Sequence, residues 1–143
     1  VPGAGLLHLQ RGTSDGAAVR TLALFRDGHC LLPQVWQATR WHQRARGLLG
    51  RPLLQPGQGL WLAPCASVHT FGMRQPLDLL FLDAGLRVVG WRQGVPAWRA
   101  AGCRGAHSTL EMAPGSLACL LPVAGQQLHW QACSPSLVSE ALP

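Results

Sequence analysis

The sequence predicts a mainly β domain with a minor α component. It reads as a single small barrel-like or sandwich-like unit of short strands, with one short helix near residues 38–50. Three observations predict it. Apolar runs of roughly four to eight residues recur between Gly, Pro and Asp turn signals, which is strand spacing. Asp27-Gly28 separates two such runs as a two-residue hairpin does. A helical period appears over Ala38–Leu49 and nowhere else of that length.

Residues 1–20 are rich in Gly, Ala and Ser and read as a flexible N-terminal extension; residues 21–131 form the domain, and 132–143 a C-terminal tail. Thr21–Arg26 and His29–Trp36 read as strands, with Pro33 marking an edge strand or a bulge. In the helical stretch Thr39 can cap, Trp41, Ala45, Leu48 and Leu49 fall near one face, and Gly47 or Gly50 ends it. Pro56-Gly57 is a turn and Gly59–Ala63 a brief apolar strand. Leu77–Leu82 and Leu86–Trp91 make a hairpin across Asp83-Ala84-Gly85. Gly94–Gly105 reads as a loop, His107–Met112 as a strand, Pro114-Gly115 as a turn, Leu117–Leu121 as a short apolar run and Gln127–Trp130 as a closing strand.

At 143 residues one core suffices. The charged fraction of 13% is low for a soluble domain, so small and apolar residues must cover much of the surface and a binding face is favoured. The net charge of +6 suggests polyanions, yet every one of the 12 basic residues is Arg, and Lys, Ile, Asn and Tyr are all missing. That joint absence is what GC-rich coding produces. No recognition helix, aromatic platform or basic tract supports nucleic-acid binding. Cys30, Cys65, Cys103, Cys119 and Cys133 show no CxxC spacing, leaving their redox state and pairing open and the compartment either cytoplasmic or exported. No apolar run is long enough for a membrane helix.

Chemistry concentrates in Pro64–Asp83, PCASVHTFGMRQPLDLLFLD. It follows a helix ending RGLLGRPLL (Arg46–Leu54) and a GLWL strand, and it precedes VVGW and TLEMAPG (Thr109–Gly115). In this order the segments resemble the domain of unknown function family 192, a set of small, mostly bacterial and archaeal proteins. The branch resembled carries a PC-x-S-x-HTF-x-M motif, with Cys65, His69 and Thr70 in place. The resemblance spans about Thr21–Trp130 and implies a small β-rich barrel-like fold with no assigned activity. Gly125-Gln126 and Phe71-Gly72-Met73-Arg74 depart from the Gly-Asp and Trp-Met-Lys-Asn forms found elsewhere in the family.

Asp78 lies between leucines, on the strand face shared with Leu80 and Leu82, so its carboxylate needs a partner. Arg51, Arg74 and Arg99 are the arginines available for a bidentate pair, and turn hydrogen bonds are the alternative. Glu111 is flanked by Leu110 and Met112; were it to converge with Asp78, the two would form a carboxylate pair with one raised pKa. Cys65 and His69 suggest a nucleophile and base with Asp78 as orienter, although along an extended strand they would stand roughly 13 Å apart. Cys65, His69 and Cys103 could together hold zinc or copper; a Cys65–Cys103 disulfide, or a buried thiol beside a locally bonded histidine, are the other readings.

The favoured expectation is a non-enzymatic domain that binds a small ligand, peptide or partner protein in a groove, with no cofactor. Arg51, His69, Thr70, Met73 and Arg74 would line the groove with Trp98 and Arg99, braced by Asp78 and Glu111. The alternative is a small Cys/His-dependent enzyme or metal-binding protein using Cys65 and His69.

Overall fold

The computed structural model describes residues 20–40, 44 and 47–132. Among the described residues nine strands and one helix with both ends described follow in order. They are β1 Arg20–Arg26, β2 His29–Ala38, β3 Gln58–Leu62, β4 Ser67–His69 and β5 Leu77–Leu82, then β6 Val88–Val95, β7 Ala100–Gly102, β8 Ser108–Met112, α1 Ser116–Leu120 and β9 His129–Ala132. Among the described residues the fold is mainly β, as the sequence predicts.

Seven strands make one sheet in the order β6-β5-β8-β3-β2-β1-β9, and β4 and β7 make a second. β2 and β3 run parallel, with residues 39–57 as the crossover between them. The long sheet curls until its ends meet at one bridge between Arg87 and Gln127. No ladder closes it, so the barrel expectation gives way to a sandwich-like domain.

Two apolar clusters lie on the two faces of the long sheet. Leu24, Val35, Leu80, Leu82, Leu110 and Met112 pack on one face with α1. Leu60, Leu62, Leu77, Leu79 and Phe81 pack on the other with Val68 of the small sheet. Every residue of β5 is therefore buried, and each leucine contributes roughly 2 kcal/mol through burial.

Some expected elements shift. Of the helix expected near 38–50, residues 41–43 and 45–46 lie outside the described residues; Arg44 is helical, residues 47–50 form a turn, and β2 itself runs through to Ala38. Pro33 does mark a bulge, because Val35 and Leu32 of β2 oppose Leu22 and Leu24 of β1. β2 is nevertheless an interior strand between β1 and β3, not an edge. Gly94–Gly105 is not all loop: β6 reaches Val95, and β7 pairs with β4. The short apolar run after Pro114 is α1, with Leu117 and Leu120 buried at helical spacing.

Asp78 holds α1 to the sheet. Its two carboxylate oxygens accept hydrogen bonds from the backbone N–H of Gly94 (2.8 Å) and of Leu117 in the first turn of α1 (2.9 Å). At the helix's other end the Arg26 guanidinium donates to the Leu120 carbonyl at 2.7 Å. A negative group at the N-terminus and a positive one at the C-terminus is the arrangement the peptide dipoles favour.

Candidate functional site

Glu111 stands on β8 opposite Leu60 of β3 and Leu79 of β5, on the face toward the small sheet. Leucines on both neighbouring strands keep water out, and the residue is 2% exposed. Among the described residues its Oε2 has no hydrogen-bond partner. Burial pushes the carboxyl up to about 8, so the neutral acid predominates at pH 7.

That carboxyl lies on a pocket of about 240 Å³. Leu62, Val68 and Met73 supply apolar walls, and Arg44, Cys65 and His69 supply polar ones. Gly47 forms part of the wall with bare backbone; a Cβ there would stand 4.0 Å from Glu111 Oε2. Its φ of +51° also favours glycine.

The chain delivers Cys65 to this pocket by clamping its backbone to β8. The Cys65 N–H donates to the His107 carbonyl at 2.8 Å, and the Thr109 hydroxyl donates to the Cys65 carbonyl at 2.8 Å. Cys65 Sγ donates in turn to the Ser67 carbonyl at 3.0 Å. Burial pushes the thiol above its ordinary range, and the Ser67 hydrogen bond and the nearby Arg44 charge offset this only in part. A thiol raised in this way is a poorer nucleophile at neutral pH than a free cysteine.

His69 connects the pocket to an exposed aromatic row. Its ring centroid lies 5.0 Å from that of Phe71, which stacks on Trp98 at 5.7 Å. Phe71 is 45% and Trp98 67% exposed. Trp98 also adopts φ +65°, a conformation costly for a bulky residue. Thr70 secures this arrangement from beneath, at 1% exposure. Its hydroxyl donates to the Pro96 carbonyl at 2.6 Å and accepts from the Arg99 N–H at 2.9 Å, while its carbonyl accepts from the Trp98 N–H at 3.1 Å. The turn after β4 and the Pro96–Arg99 loop are thus tied together.

The expected residues sort clearly. Cys65, His69, Met73 and Glu111 share the pocket. Trp98 reaches it through the aromatic row. Thr70 is buried and bonded within the protein, not presented to a ligand. Arg74 lines a neighbouring cleft of about 30 Å³ with Arg51 and Met73. Arg51 Nε donates to the Gly47 carbonyl at 2.9 Å. Arg99 borders a separate, open depression with Arg92.

Asp78 is absent from the pocket. Its partners are backbone N–H groups, and among the described residues no arginine pairs with it. Nor does it converge with Glu111. Asp78 opposes Met112 while Glu111 opposes Leu79, so the carboxyls occupy opposite faces and the carboxylate pair is not formed. The role of orienter to His69 fails for the same reason.

Cys103 turns away, its thiol directed to the carbonyls of Val89 and Arg104. Cys65 and Cys103 are both free thiols, so the disulfide is not formed. Among the described residues no three His, Cys, Asp or Glu groups come together to hold a metal, and the Cys65, His69, Cys103 set is not assembled. The sequence reading missed Arg44 and Gly47 as pocket residues. Gly47 was legible in part, as a helix-ending glycine just before Leu48-Leu49.

The model of the domain of unknown function family DUF192, Uncharacterized ACR, matches residues 23–130. No curated protein matches the chain. Two solved structures share the fold. One, a candidate transcription regulator from Sinorhizobium meliloti 1021, is 20% identical with a TM-score of 0.67, covering 79% of this chain and 94% of its own. The other, a protein of unknown function from Novosphingobium aromaticivorans DSM 12444, is 19% identical with a TM-score of 0.68, covering 82% and 89%. Among the described residues no helix is long and apolar enough to cross a membrane.

Proposed function

The chain belongs to the DUF192 family, and from its pocket we propose that it is a non-enzymatic accessory domain that binds a small ligand. One observation carries this reading: the buried Glu111 has an unpartnered Oε2 on a pocket whose rim residue, His69, begins an exposed aromatic row. Buried polar atoms are normally bonded, and a ligand group entering the pocket supplies the missing partner. Phe71 and Trp98 offer a face for the ligand's apolar part. The pocket suits the end of a small molecule more than a folded partner.

A Cys65/His69 enzyme is the second reading, favoured by their sharing one pocket. The raised thiol speaks against it. Nucleic-acid binding, which the Sinorhizobium protein's description brings to mind, has less support: α1 is five residues long and carries no basic residue in its last turn.

The test is a fragment screen followed by backbone NMR of wild type and Trp98→Ala. Fragments are expected to move the amide signals of Val68, Met73 and Glu111, and Trp98→Ala to weaken those that reach the aromatic row. A screen in which no fragment moves these signals overturns the proposal.

A further inference from the structure

Resting on that reading, we propose that the pocket selects a small organic carboxylate, held by a hydrogen bond that the protonated Glu111 donates and by the Arg44 guanidinium. The argument starts from what a ligand group must satisfy. Glu111 Oε2 is unpartnered, and Leu60, Leu62 and Leu79 surround the carboxyl. Such a site stabilises the neutral acid, which presents one O–H donor.

A cationic ligand would have to ionise Glu111 inside this apolar surround, and it would meet the Arg44 charge on the same pocket. It would also approach a chain of net charge +6. An anion meets none of these penalties. Acid–carboxylate hydrogen bonds are of the charge-assisted kind, and Arg44 supplies a counter-charge suited to a carboxylate's two oxygens. Leu62, Val68 and Met73 enclose the carbon skeleton, and His69 leads any aromatic portion toward Phe71 and Trp98. No bond is made or broken; the ligand exchanges water for these contacts.

The ionisable groups on the pocket besides Glu111 are Arg44, Cys65 and His69. Burial keeps the Cys65 thiol protonated beyond its usual range, and arginine stays charged throughout. Glu111 is thus the group whose deprotonation ejects an anion at alkaline pH, and the pH series is measured both in wild type and in a His69→Gln background.

Three matched probes decide the matter: phenylacetate, phenylacetamide and phenethylamine, titrated by calorimetry and by the NMR signals of Val68 and Glu111. Phenylacetate is expected to bind tightest. Its affinity falls by about tenfold per pH unit once Glu111 deprotonates, because each binding event then takes up one proton. Glu111→Gln, which keeps an N–H donor but cannot titrate, flattens the pH profile of the affinity that remains. Arg44→Gln weakens phenylacetate by about tenfold and leaves phenylacetamide within about twofold.

Tighter binding of phenethylamine, or phenylacetate affinity that rises with pH, overturns the carboxylate proposal while leaving a ligand-binding pocket. If none of the three probes moves the pocket signals, both the proposal and the reading beneath it fail. The pH profiles of wild type and of His69→Gln, both with Glu111 intact, decide even if Glu111→Gln does not fold.

Discussion

Asp78 and Glu111 stand one residue apart across the β5–β8 ladder and point to opposite faces of the sheet. Two buried carboxyls with the same local sequence pattern therefore have separate tasks. Asp78 ties α1 to the sheet through the Leu117 N–H and also accepts from the Gly94 N–H of neighbouring β6. Glu111 looks onto the pocket with an oxygen left over.

Asp78→Asn should destabilise without touching the pocket. The amide keeps one acceptor and turns an N–H toward the other donor, so one buried N–H is stranded. A loss of about 1–3 kcal/mol is expected in urea unfolding. Unchanged stability would mean that α1 is anchored otherwise.

Thr70→Val removes the hydroxyl between Pro96 and Arg99 and keeps the shape. The Arg99 N–H, bonded at 2.9 Å, loses its acceptor. A cost of about 1–3 kcal/mol is expected, together with faster hydrogen exchange at Arg99. Exchange no faster than in wild type would show that the loop is held by other contacts.

Stability should decline from acid to mildly alkaline pH through Glu111. The unfolded carboxyl ionises near 4.5, whereas the folded one holds its proton to about 8. The folded state binds the extra proton between these values, so its advantage is full below 4.5, shrinks as pH rises toward 8, and is gone above. The total is on the order of a few kcal/mol. Thermal unfolding of wild type against Glu111→Gln isolates it: the variant's Tm should change less between about pH 3.5 and about pH 9, roughly one unit beyond each end of the window.

Trp98→Gly should cost little stability, or raise it. The side chain is 67% exposed and its φ of +65° suits glycine. Relief of about 1 kcal/mol offsets the lost stacking on Phe71. Ligands that reach the aromatic row should nonetheless bind more weakly, a split that denaturation and calorimetry on one sample would reveal.

Cys65 should react sluggishly with iodoacetamide at neutral pH. Burial raises it, whereas Cys119 is exposed. Peptide mass spectrometry after brief labelling should find Cys119 modified first. Preferential labelling of Cys65 would return weight to the enzyme reading.

The strands that carry the site were legible where local pattern sufficed. Leu77–Leu82 is a continuous apolar run between turn residues, and Asp27-Gly28 specifies its own turn. β7, Ala-Ala-Gly, has no strand-forming residue and exists because it pairs with β4. The pairing of Asp78 with backbone donors was hidden because β6 and α1 lie far from it in sequence. The faces of Asp78 and Glu111 were hidden too. Alternation along a strand is readable, but the relative face of two strands depends on register, and one slip reverses it. Glu111 itself was visible as a polar residue inside an apolar strand; Arg44 was visible only as one more surface arginine.

The long crossover between β2 and β3 gives the pocket two walls with different histories open to them. Glu111 is locked between two ladders, where a substitution or slip disturbs a whole sheet. Arg44 and Gly47 arrive on residues 39–57, a connection that can change length and side chains without breaking a strand pairing. Descendants of this fold can therefore diverge in chemical taste while inheriting the same acid, with new preferences arising by editing the connection and not the frame.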